Sequence, residues 1–109
     1  MYKFFLLAVL TNGILAQEAW WVTVYKDANF KGSSTTLGLN YGICKCFNYV
    51  GSSWNDVISS FDSSDMPIIW YTDANCKGSS EKWGRGKVSY VGDQWNDQFS
   101  SFKFTDSTC

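Results

Sequence analysis

Histidine is absent from this 109-residue chain and proline occurs once. Without an imidazole there is no Ser-His or Cys-His pair to activate a nucleophile, and no histidine ligand for zinc. Strong charge of either sign is missing too: nine basic residues face ten acidic ones, and no polybasic run exists. A chain near neutrality cannot neutralise a row of phosphates, which argues against nucleic acid and against capture by anionic lipid. No stretch carries a sustained 3.6-residue apolar period, so long amphipathic helices are not expected.

Apolar runs are short. The clearest is Phe4 to Leu10, behind Lys3 and ahead of Ile14-Leu15-Ala16. A positive start, a short apolar run and a small residue before a cut form a secretory signal, too short to span a bilayer. Residues 1–16 are therefore read as a signal peptide and 17–109 as one small mature domain. Four cysteines, Cys44, Cys46, Cys76 and Cys109, read as two disulfides in a secreted chain of this size. Three pairings are open, and a Cys44–Cys46 bridge would need unusual ring geometry. Zinc is disfavoured, because no C-x-x-C knuckle accompanies the missing histidine.

What the chain does have is an internal repeat. Trp54-Asn55-Asp56-Val57-Ile58-Ser59-Ser60-Phe61 returns as Trp95-Asn96-Asp97-Gln98-Phe99-Ser100-Ser101-Phe102, 41 residues later. Ahead of these, Tyr25-Lys26-Asp27-Ala28-Asn29-Phe30-Lys31-Gly32-Ser33-Ser34 returns as Tyr71-Thr72-Asp73-Ala74-Asn75-Cys76-Lys77-Gly78-Ser79-Ser80, 46 residues later. The first copy is thus about five residues longer, near 39–46. Short aromatic and β-branched segments separated by polar turns predict strands over 20–25, 33–37, 43–50 and 57–61. The second copy repeats them over 68–71, 79–83, 87–91 and 99–104, with short helical turns predicted near 52–54 and 93–95. Eight short strands at regular spacing make an all-β sandwich.

Each copy ends in Asn-Asp-x-x-Ser-Ser. Such a cluster offers carboxylate, carbonyl and hydroxyl oxygens, the donors that calcium prefers. One copy alone would pass for a polar turn. Paired carboxylates for glycoside hydrolysis could be sought among Asp27, Asp73, Asp56 and Asp97, but the first two sit in repeated turns and the others belong to the clusters. No enzyme is predicted.

The pattern resembles the βγ-crystallin family over nearly the whole mature chain. Tyr25, Phe30 and Gly32 match that family's aromatic-x4-aromatic-x-Gly signature; Tyr71 and Gly78 match it with Cys76 in place of the second aromatic. Residues 55–60 and 96–101 match its calcium signature at every specified position. The resemblance implies two Greek keys, about 20–62 and 67–105, forming two four-stranded antiparallel sheets whose third strands cross over. It also implies two calcium ions. Asp97, Ser59 and the Val57 carbonyl would share one, and Asp56, Ser100 and the Gln98 carbonyl the other, with turn carbonyls near Ala28 and Ala74. With about one carboxylate per ion, affinities should be modest, roughly 10⁻⁵ to 10⁻³ M. The same topology places one of Cys44 and Cys46 with Cys109 and the other with Cys76, where a disulfide would replace ring packing.

Secreted single-domain relatives include killer-toxin-like and antimicrobial proteins, which this chain resembles in size, secretion and cysteine content. Six tryptophans are many for such a domain. Trp54 and Trp95 are expected in the core. Trp20 and Trp21 alternate on a strand, so one of them should face outward and could stack on a cell-wall polysaccharide. The expectation is a secreted, monomeric calcium-binding module of that kind. The alternative is a calcium-stabilised matrix protein without toxicity.

Overall fold

Val22 and Val24 leave the first strand on one side, Thr23 and Tyr25 on the other, and this alternation decides which face enters the core. The computed structural model describes residues 20–109. The signal segment 1–16 and the mature start at 17 lie outside these. Strand β1 (Val22–Asp27) buries both valines completely. It is followed by β2 (Lys31–Leu37), β3 (Cys46–Phe47), β4 (Ser60–Asp62), β5 (Ile68–Asp73), β6 (Lys77–Trp83), β7 (Lys87–Val88) and β8 (Ser101–Phe104). One sheet has the order β2-β1-β4-β7 and the other β3-β8-β5-β6, with every neighbouring pair antiparallel. β3, from the first copy, thus lies in the second copy's sheet, and β7 in the first copy's. Neither copy closes its own sheet.

The third strands are shorter than their apolar runs predict. After two ladder residues each chain leaves the sheet and is held by single bonds: Asn75 N–H donates to Asn48 O (2.8 Å), and Asn29 N–H to Ser89 O (2.7 Å). Val50 and Val91 then donate to the carbonyls of Ser100 and Ser59. The fourth strands start late, at Ser60 and Ser101, because the residues just before them form the loops of the repeated motif. The predicted helical turns are single hydrogen-bonded turns. Trp54 and Asn55 N–H donate to Gly51 O, Trp95 and Asn96 N–H to Gly92 O. Each stops at an aspartate in the left-handed region, Asp56 (φ 59°) or Asp97 (φ 60°), where a helix cannot continue. A short 3-10 turn falls instead at Ala28–Phe30.

Trp70 is the centre of the core. It is fully buried, stacks on Phe99 at 4.9 Å, and meets Phe102 and Phe61 at 5.0 and 5.7 Å. Aromatic burial of this kind removes about 150–250 Å² per ring from water, roughly 4–6 kcal/mol each before entropy is counted. Trp95 joins this core, whereas Trp54 is half-buried at its edge beneath the Lys26 ammonium, 5.2 Å from the ring.

Cys44 bonds to Cys109 and Cys46 to Cys76, with Cα separations of 5.6 and 6.0 Å. The second bridge ties the two-residue edge strand β3 to the turn between β5 and β6. In the first copy the equivalent of Cys76 is Phe30, whose ring meets Tyr25 edge-on at 5.5 Å. A covalent link therefore stands where the other copy has ring packing.

Candidate metal centre

At one end of the sandwich the two motif loops cross. Asp56 N–H donates to Phe99 O (3.1 Å) and Asp97 N–H to Ile58 O (3.3 Å), so each loop holds the other's backbone. The fifth-position serines point across this crossing. Ser59 Oγ donates to Asn96 Oδ1 (2.6 Å) and lies 3.5 Å from Asp97 Oδ1. Ser100 Oγ has Asn55 Oδ1 at 2.5 Å and Thr72 O at 2.9 Å. Both serines are buried, while Asp56 and Asp97 are exposed. Each of these serines reaches across to the other copy's motif, Ser59 to Asn96 and Asp97 and Ser100 to Asn55.

The sixth-position serines have another task. Ser60 Oγ donates to Asp27 O (2.6 Å) and accepts from Phe30 N–H (3.1 Å). Ser101 does the same with Asp73 O and Cys76 N–H. They clamp the hairpin turns onto the loops by giving these backbone groups hydrogen-bond partners. The turns are built for close approach. A Cβ on Gly32 would lie 2.6 Å from Asp27 Oδ2, and one on Gly78 would lie 2.7 Å from Asp73 Oδ2; both glycines have positive φ.

Among the described residues, no donor occupies the carbonyls of Val57 or Gln98. Those two oxygens, the aspartates and the serines make a hard-oxygen set that fits calcium rather than a soft metal. Ala28 and Ala74 stand at the turn tips. The turn carbonyls actually held by serines belong to Asp27, Thr72 and Asp73, one or two residues earlier. One other grouping, Cys44, Asp106 and Cys109, has metal-like spacing, but its two sulfurs are spent in a disulfide.

Sequence reasoning missed two tyrosines. The repeat extends upstream as Tyr49-Val50-Gly51 and Tyr90-Val91-Gly92, again 41 apart, and that periodicity was the available signal. With Leu39, these tyrosines are the exposed large apolar side chains among the described residues. Tyr90 Oη donates to Asp93 Oδ1 at 2.7 Å. That bond raises its phenol above the ordinary tyrosine value, helped by partial desolvation and by the charges of Asp93 and Asp97. Trp20 and Trp21 are not exposed in this way. Trp20 packs against the core and Trp21 is half-buried, with its backbone held by Ser64.

Comparison of the sequence with family models and with curated proteins gives no match. Solved structures do match. A βγ-crystallin domain from Flavobacterium johnsoniae is 30% identical, with 81% of this chain and 97% of that one covered at a TM-score of 0.63. The chain belongs to the βγ-crystallin family. A βγ-crystallin from an archaeon is 27% identical, covering 80% of this chain and 99% of that one (TM-score 0.65). A double mutant of clostrillin in complex with nickel is 25% identical over 83% of this chain and 100% of its own (TM-score 0.60). The chain spans nearly the full length of these solved βγ-crystallin chains. Among the described residues, no helix is long and apolar enough to cross a membrane.

Proposed function

We propose that this βγ-crystallin domain is a secreted, non-enzymatic module that binds two calcium ions and is stabilised by them. The observation that carries the reading is the crossed arrangement of the loops: the Ser59 hydroxyl sits beside Asp97 and Asn96, and the Ser100 hydroxyl beside Asn55 and the Thr72 carbonyl. One ion would take Asp97, Ser59 and the Val57 carbonyl; the other Asp56, Ser100 and the Gln98 carbonyl. The turn oxygens best placed to join are Thr72 O in the second copy and Lys26 O, its repeat equivalent, in the first. Water completes six to eight ligands. One carboxylate per ion keeps affinity in the range of roughly 10⁻⁵ to 10⁻³ M, suited to extracellular calcium. Two disulfides in a domain this small support an oxidising, extracellular setting.

Calorimetric titration with calcium tests the reading directly. Saturable heat with two sites per chain is expected, and no heat at millimolar calcium overturns it. The narrower role is that of a killer-toxin-like or wall-binding protein. For a polysaccharide partner, the rings available beside the loops are Tyr49 and Tyr90. Growth inhibition and a wall-polysaccharide pull-down test that role. Failure of both with calcium binding intact leaves the extracellular structural role.

A further inference from the structure

The Cys44–Cys109 bridge lies beyond the end of β8 that is remote from the crossed loops. Ser101 begins that strand within the second motif, Phe104 ends it, and the tail 105–109 follows. Both of these cysteines are exposed, whereas Cys46 and Cys76 are half-buried. An exposed bridge is the one that a thiol in solution reaches first. Beside it stands Asp106. One of its carboxylate oxygens and the two sulfurs lie within 4.8 Å of one another. No other such grouping of three metal-binding side chains occurs among the described residues.

The backbone holds these three groups together without help from the bridge. Cys44 N–H donates to Phe104 O at 2.8 Å, and Ile43 pairs with Phe104 in a parallel contact. Thr105 N–H donates to Pro67 O at 2.9 Å, which ties the tail to the chain just before β5. Beyond that point the tail turns back on Asp106. Thr108 N–H donates to Asp106 Oδ1 at 2.7 Å, and Cys109 N–H to the Asp106 carbonyl at 3.3 Å. The Cys109 sulfur lies 3.9 Å from Asp106 Oδ1. A tetrahedral zinc ion with ligands at about 2.0–2.3 Å keeps its donors about 3.3–3.8 Å apart. With the two Cα atoms 5.6 Å apart, side-chain rotation brings freed sulfurs to that spacing.

We infer that reduction of the Cys44–Cys109 bridge opens a site for a thiolate-seeking divalent cation such as zinc, held by Cys44, Cys109 and Asp106 with water as the fourth ligand. The donor set separates this site from the loops at the other end, because two thiolates select a soft or borderline metal and calcium takes oxygen. A small thiol, RSH, throws the switch. Its thiolate attacks one sulfur and breaks the Sγ–Sγ bond; a second RSH then releases RSSR. Two electrons pass to the bridge, and Cys44 and Cys109 are left as thiols. Zinc then displaces both thiol protons. Bridge and ion exclude each other, since a disulfide sulfur has no thiolate charge to offer. The inference is independent of calcium binding.

The experiment starts from the folded, disulfide-bonded chain and a water-soluble phosphine, which takes an oxygen from water as it reduces a disulfide. Alkylation followed by peptide mapping should find Cys44 and Cys109 free before Cys46 and Cys76. With the phosphine removed and air excluded, cobalt(II) chloride should give the visible absorption of tetrahedral thiolate-bound cobalt, saturating at one ion per chain. Zinc chloride should displace it, and the oxidised chain should give none. Asp106→Asn should weaken cobalt binding about tenfold or more. Cys44→Ser combined with Cys109→Ser, which keeps the other bridge, should abolish it. A further readout needs no variant: zinc should slow re-formation of the Cys44–Cys109 bridge by RSSR. Three results overturn the inference. They are a reduced chain that binds neither cobalt nor zinc, a reduced chain whose aromatic circular dichroism collapses when this bridge opens, and Asp106→Asn binding as tightly as the unaltered chain.

Discussion

The Ser59 hydroxyl donates a 2.6 Å hydrogen bond to the side-chain oxygen of Asn96, which belongs to the other copy of the repeat. Its counterpart, Ser100 to Asn55, has a second acceptor in Thr72 O at 2.9 Å, whereas the second acceptor of Ser59 is Asp97 at 3.5 Å. The motif's first position is thus a cross-loop brace.

Unequal back-up makes the two braces unequal in cost. Asn96→Ala should destabilise the metal-free domain by about 1 kcal/mol, because buried Ser59 keeps only a long contact. Asn55→Ala should cost less, since Ser100 turns to Thr72. For a domain of this size about 1 kcal/mol lowers Tm by roughly 4–8 °C. Thermal melts in chelator check the ranking, and an equal or reversed order would show that the back-up acceptors do not matter.

Gly32 and Gly78 should tolerate no Cβ. Each has positive φ and an aspartate oxygen where the methyl would go. Gly32→Ala and Gly78→Ala should each cost about 1–3 kcal/mol, from backbone strain together with overpacking. Denaturant unfolding measures this. An alanine variant with an unchanged midpoint would mean that the turn relaxes freely.

The repeat makes most of this fold readable, because a period detected twice fixes strand number and the positions of turns. Crossed sheets, by contrast, depend on long-range pairing that no local pattern encodes; only the family resemblance points to them. Strand ends fall differently from the pattern at 43–50 and 57–61 for a related reason. Those segments are β-prone, but their backbone groups are used on the opposing loop and turn instead of on a ladder. At Trp20-Trp21, local alternation cannot see that the core reaches Trp20.

Removing the Cys46–Cys76 bridge should destabilise more than its turn alone would suggest. It closes a 30-residue separation and anchors the edge strand β3. Loss of such a bridge typically costs about 2–5 kcal/mol. The paired change Cys46→Ala with Cys76→Phe, restoring the aromatic that the first copy carries, should recover part of that loss through packing on Tyr71. Denaturant midpoints of the double-alanine and alanine–phenylalanine proteins decide the point. Thiol counting on the denatured, unreduced protein should find no free thiol.

Tyr90 should titrate above ordinary tyrosine, because the carboxylate of Asp93 accepts from its neutral form. The sign for stability follows. A folded-state pKa above the unfolded one gives a contribution fully present below pH about 10 and lost as pH rises through the folded value. Difference absorbance at alkaline pH between the chain and Tyr90→Phe should isolate one late-titrating phenol, which moves earlier in Asp93→Ser. A Tyr90 that ionises at the ordinary tyrosine value would contradict the bond.

Calcium should raise stability through loops that each serve both sites. Ions that bind only the folded state add RT ln(1 + [Ca]/Kd) per site. At millimolar calcium and a Kd of ~10⁻⁴ M, that is roughly 1.4 kcal/mol per site, enough to raise Tm by several degrees. Because Ser59 stands by Asp97 and Ser100 by the first loop, Asp56→Ala should abolish the ion held by Ser100 and spare the one held by Ser59. Asp97→Ala should do the reverse. Ser59→Arg, which sets a cation beside the first ion, should remove that site more completely than Ser59→Ala. Melting curves in calcium and in chelator, paired with calorimetric stoichiometry, read all four variants. A single aspartate change that eliminates both ions would mean that the sites are one coupled unit, and an unaltered chain that melts identically with and without calcium would reduce the crossed loops to a structural clasp.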